Sequence, residues 1–174
     1  MAGRVQKCIK IPDRPSTKGY LLILHFAVDV KRIVEEGKDY SWPHPERCPG
    51  CGGRRLWGHG YVRRYFEGLT EGIWVKRYRC PECRAVHTLR PERFFKGFYY
   101  SVWTILLSLL SRIIHGRWLR GLSRQVQQYW WRGLRFQASR FHNVRSPDSL
   151  SLMQLLQEGI NPVSHSFQCE RLRL

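Results

Sequence analysis

The chain has 174 residues, 43% of them hydrophobic, and its Lys and Arg outnumber Asp and Glu by 30 to 13, giving a formal charge of +17. That apolar content can build a core and excludes a disordered tail, and the length holds one or two domains. A charge so far from zero makes a polyanion the expected partner, with no small-molecule substrate expected. Arginine dominates over lysine and is interleaved with aromatic rings. Guanidinium forks suit phosphates and guanine edges, and flat rings suit bases.

Residues 1–18 are polar, with Pro12 and Pro15, and read as a basic flexible arm whose Arg4, Lys7, Lys10, Arg14 and Lys18 either face phosphate or are solvated. Residues 19–47 read as a packing element and linker. An apolar run from Tyr20 to Val30 starts a strand or helix, a short helix follows and stops at Gly37, and Pro43 and Pro45 stiffen the entry to what comes next.

Residues 48–90 carry the strongest signal. Cys48-Pro-Gly-Cys51-Gly and Cys80-Pro-Glu-Cys83 are two matched knuckles with 28 residues between them. Four thiolates in this pattern suit one structural Zn²⁺ held tetrahedrally. No apolar signal segment with a small-residue cleavage site follows Met1, so disulfides are not expected and a cytoplasmic location is. A redox pair needs one C-x-x-C beside a helix, not two matched ones. The closed four-cysteine site should hold the fold and not activate water. Pro after the first Cys and Gly after the second fit a tight turn whose N–H groups point at the sulfurs. Arg55, Arg79 and Arg84 partly offset the charge, while Cys8 and Cys169 match no knuckle.

Between the knuckles the pattern predicts a strand from Arg54, a glycine-flanked kink at His59, a second strand to Phe66, a turn over 67–72, and a returning strand over 73–79. A final short strand covers 85–89. Alternation sets Ile73, Val75, Arg77 and Arg79 against Trp74, Lys76 and Tyr78, so neither face is cleanly apolar. Arg63, Arg64, Lys76, Arg77 and Arg79 are the candidate phosphate contacts of this hairpin. His59 and His87 read as structural or surface histidines, because four cysteines already fill the site.

Residues 91–137 turn helical. Pro91 breaks the sheet, an aromatic linker spans 94–100, and Ser101 caps a helix over 102–114 that His115-Gly116 ends. Phe98–Ile114 offers only 17 residues, with Arg112 among them, and a span needs about 20 uncharged apolar ones. A buried first helix of a helix-turn-helix fits better, with Gly116–Gly121 as a tight connector and Ser123 capping a second helix. Val126, Trp130 and Leu134 then face the core, and Arg124, Gln125, Gln128 and Arg132 face outward as candidate readers of base edges. Residues 138–174 hold a Ser146-Pro-Asp-Ser cap, a short helix over 150–158 stopped by Gly159, and an extended or frayed end from Pro162.

The block C-P-x-C-G, then Gly58-His-Gly, then Arg77-Tyr-Arg-Cys80-Pro-x-Cys83 and Thr88 resembles the N-terminal zinc ribbon of bacterial insertion-sequence transposases. The likeness covers roughly residues 44–90, with a weaker echo to about 137. It implies a metal-held sheet ahead of a helix-turn-helix, double-stranded DNA as partner, and a mobile-element setting with a transposase or recombinase. The family's catalytic half is an RNase H-like domain with three carboxylates, and no such trio stands in this chain, which has 13 acidic residues. The sequence therefore reads as α+β, a four-cysteine antiparallel ribbon followed by a helix-turn-helix-like region, and as a non-catalytic DNA-binding protein without a membrane segment. An RNA- or ribosome-binding ribbon, and the DNA-binding subunit of a recombinase whose active site lies on another chain, stay open.

Overall fold

The computed structural model describes residues 21–165. The arm at 1–18, Cys8, Cys169 and the tail beyond 165 lie outside the described residues. The chain divides into two compact units, Met1–Glu92 and Arg93–Leu174.

The first unit is a four-stranded mixed sheet with one short helix. Strand β1 (Leu21–Phe26) and helix α1 (Val30–Glu36) precede the knuckles, and β2 (Trp57–Arg64), β3 (Ile73–Arg79) and β4 (Val86–Pro91) follow in the order β1-β4-β3-β2 across the sheet. Asp29 caps α1 by accepting from the Lys31 and Arg32 N–H groups, and Gly37 ends it at φ 60°. The β2–β3 and β3–β4 pairs are antiparallel, whereas β1 pairs with β4 in parallel, from Leu21↔Val86 to Phe26↔Pro91. Of the strand or helix expected to start this packing element, the structure has the strand, and that strand belongs to the sheet.

The kink expected at His59 does not split the strand. β2 is continuous, and its register against β3 slips by one residue between Gly58 and Tyr61, with Gly60 at φ 72°. This is a β-bulge, and glycine supplies the left-handed backbone it needs. Burial on β3 changes sides along its length: Ile73 and Val75 are buried at one end and Tyr78 at the other. That change explains why neither face alternates cleanly in sequence.

The described residues of the second unit form a cluster of three helices, α2 (Val102–His115), α3 (Arg124–His142) and α4 (Ser149–Gln157). Ser101 caps α2 through the Thr104 N–H, and Gly116 ends it in the left-handed conformation. Helix α2 is only half-buried, in contrast to the expected buried helix. Ile105, Ser108 and Leu109 face inward, while Trp103, Leu107 and Ile114 stay exposed. No helix among the described residues is long and apolar enough to cross a membrane.

Helix α3 runs well past the expected core positions, to His142, and buries Trp130, Leu134 and Ala138. Ser123 sits at its N-cap position but makes no side-chain cap. The connector from α2 is eight residues, 116–123, longer than the three or four of a helix-turn-helix turn. Gln127, fully buried, fastens it. Its Nε2 donates to the Leu119 and Leu122 carbonyls at 3.0 and 3.1 Å, and its Oε1 accepts from the Leu119 N–H at 2.9 Å and the Ser108 hydroxyl at 2.8 Å. All four hydrogen-bonding positions of the carboxamide are used, which makes this buried polar group stabilising and not costly.

Asp148 caps α4, accepting from both the N–H and the hydroxyl of Ser151. These bonds hold its carboxyl below the usual carboxylate range. The chain after α4 is not frayed as far as it is described: Ile160, Asn161 and Val163 are buried. Gly133 permits this approach, because a Cβ there would run into the Val163 backbone.

Candidate metal centre

The two knuckles are copies of one backbone design. In each, the N–H of the first Cys donates five residues ahead, Cys48 to the Gly53 carbonyl at 2.7 Å and Cys80 to the Ala85 carbonyl at 2.9 Å. In each, the fourth residue after that Cys takes a left-handed conformation, Gly52 at φ 77° and Arg84 at φ 59°. Glycine adopts that region freely and arginine does so at a cost. The expected turn with N–H groups aimed at sulfur is present: Gly53 donates to Cys51, Ala85 to Cys83, and Glu82 and Cys83 to Cys80.

The four sulfurs of Cys48, Cys51, Cys80 and Cys83 all lie within 4.8 Å of one another, and none of the four is in a disulfide. The Cys48–Cys83 and Cys51–Cys80 separations are both 3.6 Å. Ligands about 2.3 Å from a tetrahedral ion sit about 3.8 Å apart, so the cluster has the size of a metal-binding tetrahedron. Cys48 and Cys80 are buried, Cys83 is partly buried and Cys51 is exposed. The chain therefore brings together the four ligands expected from the spacing.

Thiol acidity differs around the cluster. Burial pushes Cys83 up to about 12 in the absence of metal. Burial also opposes ionisation of Cys80, but the Cys83 and Glu82 N–H groups together with the Cys51 and Cys83 thiols lower it on balance. At Cys51 the Gly53 N–H favours the thiolate, but burial and the neighbouring thiols together raise it.

A fifth side chain completes the centre. His87 is buried, with Nε2 3.2 Å from the Cys48 sulfur, and burial holds its pKa below the ordinary value. A ring carrying its proton on Nε2 would donate to the Cys48 sulfur, the kind of supporting contact that orients a metal ligand. His87 is placed by β4, opposite Tyr78 of β3. Tyr78 in turn packs edge-on against His44, whose Nε2 lies 3.0 Å from the Leu56 carbonyl. The entry segment 41–47 is thus tied to the sheet beside the first knuckle. Glu82 is the nearest acid, its carboxylate 3.9 Å from the Cys51 sulfur.

The five cations expected to line the hairpin are divided between its faces. Register places Arg63 with Trp74 and Tyr61 with Lys76 on one face, and Arg64 with Ile73 on the other, the side that also carries Arg77 and Arg79. Arg63 donates to the Gly72 carbonyl, pairs with Glu71 at 3.5 Å and stacks 5.7 Å from the Tyr65 ring. Lys76 lies 4.3 Å from the Tyr61 ring and donates to its hydroxyl. Arg77 is half-buried, with its Nε enclosed and unpartnered. Arg64 and Arg79 are exposed. On α3, Arg124, Gln125 and Arg132 are exposed and Gln128 is half-buried.

Sequence reasoning passed over Arg90. It is buried on β4, 4.8 Å over the Phe66 ring, and burial with the nearby Arg64 charge lowers it to about 10. Its position at the end of an apolar strand was the only signal. Comparison of the chain with family models, curated proteins and solved structures gives no match.

Proposed function

We propose that this chain is a zinc-ribbon protein that binds double-stranded DNA and has no catalytic role of its own, acting in a mobile-element setting beside a transposase or recombinase. The observation that carries the reading is the closed four-thiolate cluster in a chain of charge +17. Cys48, Cys51, Cys80 and Cys83 would hold one Zn²⁺, whose contribution is a cross-link between two turns. With every coordination position taken by sulfur, the ion has none to offer a water. His87 orients Cys48, and the knuckle N–H groups disperse the thiolate charge.

In this reading the helical unit supplies a helix-turn-helix-like contact. Arg124, Gln125, Gln128 and Arg132 along α3 carry groups that match guanine and adenine edges. Arg64, Arg77 and Arg79 on one face of the ribbon, and Arg63 and Lys76 on the other, neutralise phosphate. The test is a competition between random duplex DNA and structured RNA for zinc-loaded protein across a salt series. Tighter duplex binding, with a steep fall in affinity as salt rises, supports the reading. Preference for structured RNA would replace it with an RNA-binding role.

A further inference from the structure

The second half of α3 and the turn after it form a groove that shares only Arg132 with the base-reading residues. Arg132, Arg135, Phe136, Ser139, Arg140 and Arg145 enclose about 410 Å³ there. Four guanidinium groups surround a partly buried ring, and all four arginines and Ser139 are exposed. Among the described residues, Arg132, Arg135 and Arg145 have no ion-pair partner within 4.0 Å.

Among the described residues of this unit few carboxylates are available to compensate these charges. Between residues 93 and 165 the chain carries ten Lys and Arg but only two carboxylates, Asp148 and Glu158. Both are committed. Asp148 caps α4 through Ser151, and Glu158 faces His142 at 3.6 Å. Arg140, in the last turn of α3 and 5.0 Å over the Phe141 ring, is accounted for by the helix dipole. Arg132 and Arg135 lie inside the helix and Arg145 lies beyond it, so the dipole does not explain them. Like charges brought to one groove repel, and an arrangement kept at that cost fits an anionic ligand.

We propose that this groove seats the phosphodiester backbone of duplex DNA, with Arg135, Arg140 and Arg145 forked onto phosphate oxygens and the Ser139 hydroxyl donating beside them. Contacts of this kind position a protein without reading sequence. The proposal deepens the DNA-binding reading above and rests on it.

The test measures affinity of the full zinc-loaded chain for a fixed duplex oligonucleotide against salt. Removing two contacts in Arg135→Ala/Arg145→Ala should flatten the slope of log affinity against log salt by about two units, equally on duplexes of unrelated sequence. The charge-keeping pair Arg135→Lys/Arg145→Lys should retain the slope. A control pair, Arg117→Ala/Arg120→Ala, removes the same charge from the exposed α2–α3 connector and should leave it nearly unchanged. An unaltered slope in the groove pair, or an equal loss in the control pair, overturns the groove while leaving DNA binding intact. Absence of salt-dependent duplex binding by the unaltered chain overturns the functional reading and the groove with it.

Discussion

In the unit ending at Glu92 the described buried side chains include Ile33, Phe66, Val75 and Leu89, and four sulfurs gather within 4.8 Å of one another. In the unit beginning at Arg93 ten buried residues, from Phe95 to Val163, make one contiguous apolar cluster with Trp130 and Leu134 at its centre. The difference is one of what replaces what. A helix cluster with this much buried hydrocarbon can be held without a cross-link. A ribbon of a few short strands, one face of which changes burial partway along β3, needs a cross-link to reach the same end. The two units should therefore fail under different insults.

The largest separation comes from the metal ligands. Cys80→Ser, or removal of metal by a chelator, should unfold the ribbon, since binding energy at such sites is on the order of 10 kcal/mol and is folding energy. Hydrogen exchange should show protection lost in β2, β3 and β4 and retained in α2, α3 and α4. Loss in both would break the comparison. The converse is Leu134→Ala, which removes a fully buried side chain from the helical cluster and should cost about 2–5 kcal/mol there. Its metal content, measured by elemental analysis, should stay at one ion per chain.

pH sharpens the contrast. Cys83 is pushed up to about 12 by burial in the metal-free protein, so at neutral pH an incoming ion displaces its proton. Metal affinity should rise with pH from about 6 to about 8, read by titration against a competing chelator. The helical cluster should show no such trend.

The smallest effect sits in the knuckles themselves. Gly52 has open space around its Cα, so Gly52→Ala meets only the left-handed backbone and should lower the thermal stability of the ribbon by about 1 kcal/mol. Arg84→Gly at the matched position relieves the same strain and should be neutral or slightly stabilising. An equal loss at both sites would show that the two turns are not equivalent.

Much of this was legible wherever the signal is local. Helix α2 is bounded by Ser101 and Gly116, which act on their own neighbours, and α1 by Gly37. The metal cluster was legible because C-x-x-C fixes two sulfurs within one turn, leaving only the meeting of two turns to the fold. What was hidden depends on partners distant in sequence. Nothing near Leu21 announces a parallel pairing with Val86. His87 shows its role only once β4 faces Tyr78. Gln127 looked like any polar residue of a helix, yet it is buried because the connector wraps around it. Ser123 misled for the opposite reason: the residue type fits a cap, but this connector makes no use of it. The arginine groove escaped because Arg145 reaches it from beyond the helix.

The parallel pairing of β1 with β4 has a consequence for how the chain finds its fold. Leu21 and Val86 are 65 positions apart, and closing a loop that long costs chain entropy before any strand contact compensates for it. An ion joining Cys48 to Cys83 cuts out the intervening hairpin, so the path from one strand to the other shrinks to about 30 residues. On a logarithmic law that is worth only about 0.6 kcal/mol. It acts, however, on the search itself: assembly in the order knuckles, hairpin, then β1 becomes the shortest route. The ion would then serve as a shortcut in the contact map as well as a clamp, and refolding with metal already present should be faster than refolding followed by loading.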